Sequence, residues 1–254
     1  MFSKTLVSAA MAALLAGVAR AETGPGFPIA TSQNLTVIYG NNTISPGGEL
    51  VPRPETAQRP TISAPVWWAD EKGPGSCILL MVDLDVPRNG SRVQLIHWLA
   101  LNITRSSPLS ANTSGAALQI PDSNPVPYRQ PSPPVGDIPH SYTFVLMEQP
   151  RNFTMPEQYA SLAMNRAPFN VSQFAKDANL TRPLAGTWIT VQNTTGTPTT
   201  SAFPPARPTP TGGSSTESGG PSKGGAAGGL AVQGRALWAG VTTALLAGVF
   251  AVAL

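Results

Sequence analysis

Residues 77–88 read Cys77-Ile-Leu-Leu-Met-Val82-Asp83-Leu84-Asp85-Val86-Pro87-Arg88. Six apolar residues in a row, rich in branched side chains, predict a strand with both faces buried. The strand ends in two acids spaced i, i+2, which point to the same side if the strand runs that far. Asp83 and Asp85 can therefore face one cavity. The next apolar run contains His97-Trp98, and the run from residue 141 follows His140. His97 and His140 are the two histidines of the chain. Each stands in a strand-like setting beside an aromatic residue, Trp98 for one and Tyr142 for the other. Pro133-Pro134-Val-Gly136 forms a rigid loop just before His140.

Outward from this centre, short apolar runs alternate with turns rich in Pro and Gly. Strands are predicted at residues 35–39, 77–83, 95–102, 141–148 and 186–192. Thr154-Met-Pro-Glu157 fits a capping box and predicts a short helix to about residue 165. A second short helix is predicted over 171–178. The pattern is mostly β, with two small helices before a last strand.

Four pieces in order carry a family resemblance. Asp83-Leu-Asp85-Val-Pro87-Arg88 resembles the Asp-Pro-Asp-x-Pro signature of phosphatidylethanolamine-binding proteins. His97-Trp-Leu-Ala-Leu-Asn102 resembles the strand that follows it in that family. Tyr128, Pro133-Pro134-x-Gly136, His140-x-Tyr142-x-Phe144 and Gln149 resemble the second signature. Phe169–Phe174 and Pro183–Trp188 are similar to the late helix and last strand. The resemblance implies a mainly β fold, with a large antiparallel sheet, a smaller sheet and a few short helices. It implies a small anion pocket lined by Asp83, Asp85, His97, Pro134, His140 and Tyr142. Two imidazoles and a phenol can donate to phosphate oxygens, and acids can orient an imidazole or meet an ammonium. The expected ligand is an anionic small molecule or phospholipid headgroup, bound without catalysis and without a cofactor. The alternatives are a protein-interaction module, such as a serine carboxypeptidase inhibitor with a protease partner, and a structural wall glycoprotein. The two His and two Asp also suit a metal by ligand type, but the resemblance gives a metal no support. The sequence departs from the family pattern at Leu84, Gln130, Ser132 and Ser141. It also passes into a low-complexity tract soon after Gln192, leaving no room for the C-terminal helix that partly covers the pocket in some relatives.

The ends of the chain read as processing signals. Residues 1–21 carry Lys4, an apolar run and a small-x-small end, the form of a secretory signal peptide. The domain is expected at 22–194. Residues 195–229, dominated by Thr, Ser, Pro and Gly, predict an extended stalk. Residues 230–254 end in an uncharged apolar tail preceded by small residues, the form of a GPI-attachment signal, with Gly224 the candidate attachment residue. A terminal transmembrane helix is the other reading of that tail. A monomer at the plasma membrane or cell wall, of a secreted, GPI-anchored fungal type, is expected.

The formal charge of +3 belongs to the ends. Residues 22–196 hold 11 Lys and Arg against 12 Asp and Glu, so nothing favours nucleic acid. Asn-x-Ser/Thr occurs at Asn34, Asn41, Asn89, Asn112, Asn152, Asn170, Asn179 and Asn193, all candidate glycan sites. Asn102, directly after an apolar run, is the most doubtful of the nine acceptors. Cys77 is the single cysteine, so the domain is held by its core alone, and the thiol is predicted to be buried and inert. No Gly-x-Ser-x-Gly or paired Ser–His spacing points to a hydrolase.

Overall fold

The computed structural model describes residues 22–105, 115–198 and 202–208. Eleven strands follow in chain order: β1 (Thr36–Tyr39), β2 (Asn42–Thr43), β3 (Glu49–Leu50), β4 (Thr61–Ala64), β5 (Ala69–Asp70), β6 (Gly73–Pro74), β7 (Cys77–Arg88), β8 (Ser91–Arg105), β9 (Ala116–Gln119), β10 (His140–Glu148) and β11 (Pro183–Val191). One helix, α1 (Val171–Asp177), precedes the last strand. Nine strands form one sheet in the order β2-β1-β4-β9-β8-β7-β10-β11-β3, and β5 and β6 form a small second sheet. Pairing is antiparallel except between β11 and β3. The fold is mainly β, as the residue pattern and the resemblance implied.

The apolar run at residues 77–82 is continuous because β7 lies at the centre of the sheet with both faces covered. On one face Leu79 and Met81 share a core with Phe144, Tyr142 and Trp98, and with Val37, Tyr39 and Ile62 of the curled-over outer strands. On the other face Ile78, Leu80 and Val82 pack against Val171 and Phe174 of α1. Cys77 is fully buried, and burial pushes its thiol up to about 12. Asn170 caps α1, its side-chain oxygen accepting from Gln173 N at 3.0 Å.

One expected element needs correction, and two strands were not foreseen. No α-helix covers 154–165; the segment holds a short 3-10 turn at Glu157–Tyr159, whose N-cap Pro156 makes no side-chain cap. Successive tight turns follow it, with Leu162 N donating to Tyr159 O and Met164 N to Ser161 O, and only beyond them does the chain join β8, where Ile96 N donates to Arg166 O and Phe169 N to Gln94 O. The short strands β4 and β9 have no run long enough to announce them in sequence, and are stabilised by pairing with each other and with β1 and β8.

Candidate functional site

The site is built at one end of the three central strands. Asp83 and Asp85 come from β7, His97 from β8, and His140 and Tyr142 from β10. Tyr142 pairs directly with Asp83. The β7–β8 ladder shifts register between Met81 and Val82, and again between Asp83 and Val86. The first shift leaves His97 as the extra residue between Ile96 and Trp98. Such bulges re-aim side chains, and here they bracket the acids and the imidazole. Pro134 contributes through its backbone: its carbonyl accepts from Asp137 N at 3.2 Å, closing a turn with Gly136 at φ 86°. All six residues named from the sequence therefore meet in one region. Five of them are no more than 5% exposed, so the expected surface pocket is closed.

Its interior is a network of ion pairs. His140 Nδ1 lies 2.9 Å from Asp83 Oδ2, and its Nε2 lies 3.0 Å from Asp137 Oδ2. Ionised carboxylates only accept, so both contacts are hydrogen bonds only when both ring nitrogens carry protons. Burial of the ring opposes its charge, but the two carboxylates outweigh it and raise its pKa. Asp137 also receives a fork from Arg92, with Nη2 to Oδ1 at 2.7 Å and Nη1 to Oδ2 at 3.1 Å. Burial pushes the Asp137 carboxyl up, while Arg92 and His140 pull it down further, to about 2. Arg92 Nη1 donates to Asp85 O at 2.6 Å as well. Asp83 Oδ1 accepts from Asp85 N at 2.8 Å.

His97 and Tyr142 differ from this saturated set. His97 Nδ1 donates to Arg129 O at 2.9 Å, while its Nε2 is 3.9 Å from Asp83 Oδ2, too far for a hydrogen bond. Burial lowers the His97 pKa, and Asp83 only partly offsets it. Tyr142 packs edge-on to His97 with ring centroids 5.0 Å apart, and stacks over His140. Its hydroxyl is fully buried beside Asp83 and the Ser132 backbone, and makes no hydrogen bond of full geometry to either. Burial first, and then the nearby Asp83, push its pKa far up. The expectation that both imidazoles are free to hold a ligand is thus corrected for His140, whose two nitrogens are occupied.

Three participants escaped the sequence reading. Arg92 and Asp137 lie 45 residues apart and no local pattern links them. The third is Arg207, in the tract assigned to the stalk. Its Nε donates to Asp85 Oδ1 at 2.7 Å, its Nη2 reaches Oδ2 at 3.5 Å, and its Nη1 donates to Pro25 O at 3.2 Å. Asp85 Oδ2 also accepts from Ser141 N at 2.8 Å. Burial works against the Asp85 charge, but Arg207 and Ser141 outweigh it and lower its pKa. Residues 202–208 are therefore packed on the domain, and nothing in them is helical. The tract read as an extended stalk thus lies, without a helix, against Asp85 over these residues. A signal was present: Arg207 is the single charged residue between 195 and 216.

Sheet and site together define a mainly β domain with one polar, ion-paired centre at the end of its central strands. The chain belongs to the phosphatidylethanolamine-binding protein family, whose model matches residues 40–197. It is similar to the phomoidride biosynthesis cluster protein N of Talaromyces stipitatus, 28% identical over 201 residues, covering 72% of this chain and 96% of that protein. A protein of the same name from a fungal species is 31% identical over 125 residues, 48% of this chain and 55% of its own length. Among solved structures, a carboxypeptidase Y inhibitor complexed with its cognate proteinase has a TM-score of 0.48 at 19% identity, covering 65% of this chain and 85% of that one. A phosphatidylethanolamine-binding protein from Plasmodium vivax has a TM-score of 0.42 at 16% identity, covering 62% and 84%.

Proposed function

We propose that this domain is a non-catalytic binding module. Its ligand is an anionic small molecule or phospholipid headgroup, met by His97 and Tyr142 in a site that Asp83, Asp85, Pro134 and His140 shape. The observation that carries the reading is the pair His97 and Tyr142: His97 Nε2 makes no hydrogen bond, and the buried Tyr142 hydroxyl, beside Asp83, makes none of full geometry. A buried hydroxyl without a well-formed hydrogen bond is destabilising by about 1–3 kcal/mol, which a ligand that accepts from it would offset. His97 Nε2 stands open beside it. Tyr142 offers a donor to a phosphate oxygen, while His97 Nε2, on a neutral ring whose Nδ1–H serves Arg129 O, is an acceptor that becomes a second donor only when the bound anion protonates the ring; His140 and Asp83 fix the wall behind them. The carboxylates make a bare anion a poor fit. A headgroup that also carries an ammonium, such as phosphoethanolamine, suits the site better, because the ammonium can meet Asp85 where it displaces Arg207.

The test is an NMR titration of the protein with phosphoethanolamine, phosphate and ethanolamine. Phosphoethanolamine is expected to bind more tightly than either fragment, and Tyr142→Phe to weaken it by up to about tenfold, the loss of one neutral hydrogen bond. Equal binding by both proteins places the site elsewhere. No binding by either favours the protein-interaction reading, in which the domain partners a protease.

We also propose that the module is displayed at the cell surface on a GPI anchor and carries N-glycans. Asn34, Asn41, Asn89, Asn152, Asn170 and Asn179 are exposed and Asn193 is half-buried, which supports glycan access. Asn112, the signal segment 1–21, Gly224 and the apolar tail lie outside the described residues. Asn102 is exposed, but its side chain accepts from Gln149 Nε2 at 2.7 Å. Asn89, Asn102 and Asn179 also hold positive φ, a local reason for asparagine that is independent of sugar. Release from intact cells by a phosphatidylinositol-specific phospholipase tests the anchor. Retention of the protein with its C-terminal tail overturns it.

A further inference from the structure

The segment that closes the site is specific in its chemistry. Arg92 Nε donates to Pro205 O at 3.0 Å and its Nη2 to Pro204 O at 2.8 Å. Phe203, half-buried, lies with Pro198 over Gly136, where an added Cβ would come within 2.9 Å of Pro198. Arg207 then turns its guanidinium onto Asp85 as a fork and reaches the Pro25 carbonyl. Prolines hold such a segment extended with little entropy left to lose. Their carbonyls are free to accept because no strand pairs with them.

Charge decides what belongs in the place Arg207 fills. Asp83, Asp85 and Asp137 are three carboxylates. Arg92 and a doubly protonated His140 are two cations, and Arg207 is the third. Without Arg207 the buried network is one negative charge in excess, centred on Asp85. A carboxylate left alone in a buried place is costly, so the vacancy favours a cation. The donors and acceptors that remain there are the two Asp85 oxygens, one of them already receiving Ser141 N, and the Pro25 carbonyl. These match a planar guanidinium better than a point-charge ammonium. A cavity of about 260 Å³ adjoins the guanidinium, lined in part by Pro25, Ser141, Trp188 and Thr190.

We propose that Asp85, Ser141 and Pro25 form a guanidinium-binding site, and that Arg207 is its built-in occupant. Residues 202–208 are then a strap that an arginine-bearing, proline-rich peptide displaces. The inference rests on the reading of Asp85 as a ligand-facing residue, and a headgroup ammonium that meets Asp85 competes with Arg207 for it. The strap competes in cis at an effective concentration of millimolar order. An outside peptide binds well only when the strap is lifted or its arginine removed.

The probe is the capped peptide Pro-Pro-Ala-Arg-Pro, titrated by NMR into the full chain and its Arg207→Ala variant. The variant is expected to bind the peptide saturably, at least about tenfold more tightly than wild type, which carries its own competitor. The same peptide with Ala for Arg is expected not to bind, and Asp85→Asn in the variant background is expected to abolish binding. Near-UV circular dichroism of each variant establishes that it is folded. Arg207→Lys, which keeps the charge and loses the fork, should leave intermediate competition. Equal binding by wild type and Arg207→Ala overturns the strap. Equal binding of the Arg and Ala peptides, or no binding by the folded Arg207→Ala protein, overturns the guanidinium site. Phosphoethanolamine titrated into the same variant separates the two proposals, since its binding without the peptide's sinks only this one, and the peptide's binding without it sinks only the headgroup reading.

Discussion

His140 Nδ1 lies 2.9 Å from Asp83 Oδ2, a contact that ties β10 to β7 across a region almost free of solvent. Its other nitrogen is taken by Asp137, itself forked by Arg92. The imidazole is a structural cation here. Its removal strips charge from between two buried carboxylates rather than trimming the wall of an open pocket.

His140→Ala should therefore destabilise the domain by roughly 3–5 kcal/mol, the range for breaking a buried ion pair from one side. Urea unfolding of wild type and variant measures it. A change below about 1 kcal/mol would mean that solvent or a neighbour relaxes into the site.

The pH dependence has two limbs of opposite sign. The His140 pKa is raised in the fold, so its contribution is complete below the ordinary histidine value of about 6.5 and is lost as pH rises through the raised value. Asp85 is lowered and Asp137 lies at about 2. Their contributions are present above about 3.9 and are lost as pH falls through the lowered values. Urea midpoints should thus fall on the alkaline side in wild type, and that alkaline limb should flatten in His140→Gln. An unchanged limb in the variant assigns the titration to another group.

Arg92 serves Asp137 twice and three carbonyls besides. Arg92→Lys keeps the charge but cannot reproduce a planar fork. It should be less stable than wild type and more stable than Arg92→Ala, which is expected to lose roughly 3–5 kcal/mol. Equal stability of Lys and Arg would show that charge alone suffices.

Cys77 sits under Trp68 with its thiol raised to about 12 by burial. The native protein should not react with a thiol reagent at neutral pH, and the protein in urea should react at once. Cys77→Ser should be destabilised by only ~1–2 kcal/mol, the cost of a hydroxyl with an imperfect partner. Rapid native-state labelling would show that the end of β7 opens.

Gly136 combines φ 86° with an approach by Pro198. Gly136→Ala should be destabilised by on the order of 1–3 kcal/mol, through backbone strain and a displaced proline. A thermal melt measures it, and an unaltered melting temperature would mean the turn has another conformation open to it.

The sequence by itself determined the strand set around the site, the buried thiol and α1, because each is written in contiguous residues. An apolar run of six and an i, i+2 pair of acids are local patterns read with local rules. The family resemblance implied the six site residues, and the pairing of Tyr142 with Asp83 brings those of β7 and β10 side by side. The 154–165 segment failed the same logic, since it folds as successive tight turns before residues 166 and 169 bond to β8. Tertiary structure alone decided the electrostatic sign of the site. Arg92 and Asp137 meet across 45 residues, and Arg207 and Asp85 across 122. A site's charge is a sum over segments that sequence spacing does not relate. The two imidazoles look like anion holders in isolation, yet beside three carboxylates one of them becomes a buried counter-ion, and a residue read as part of a stalk completes the balance.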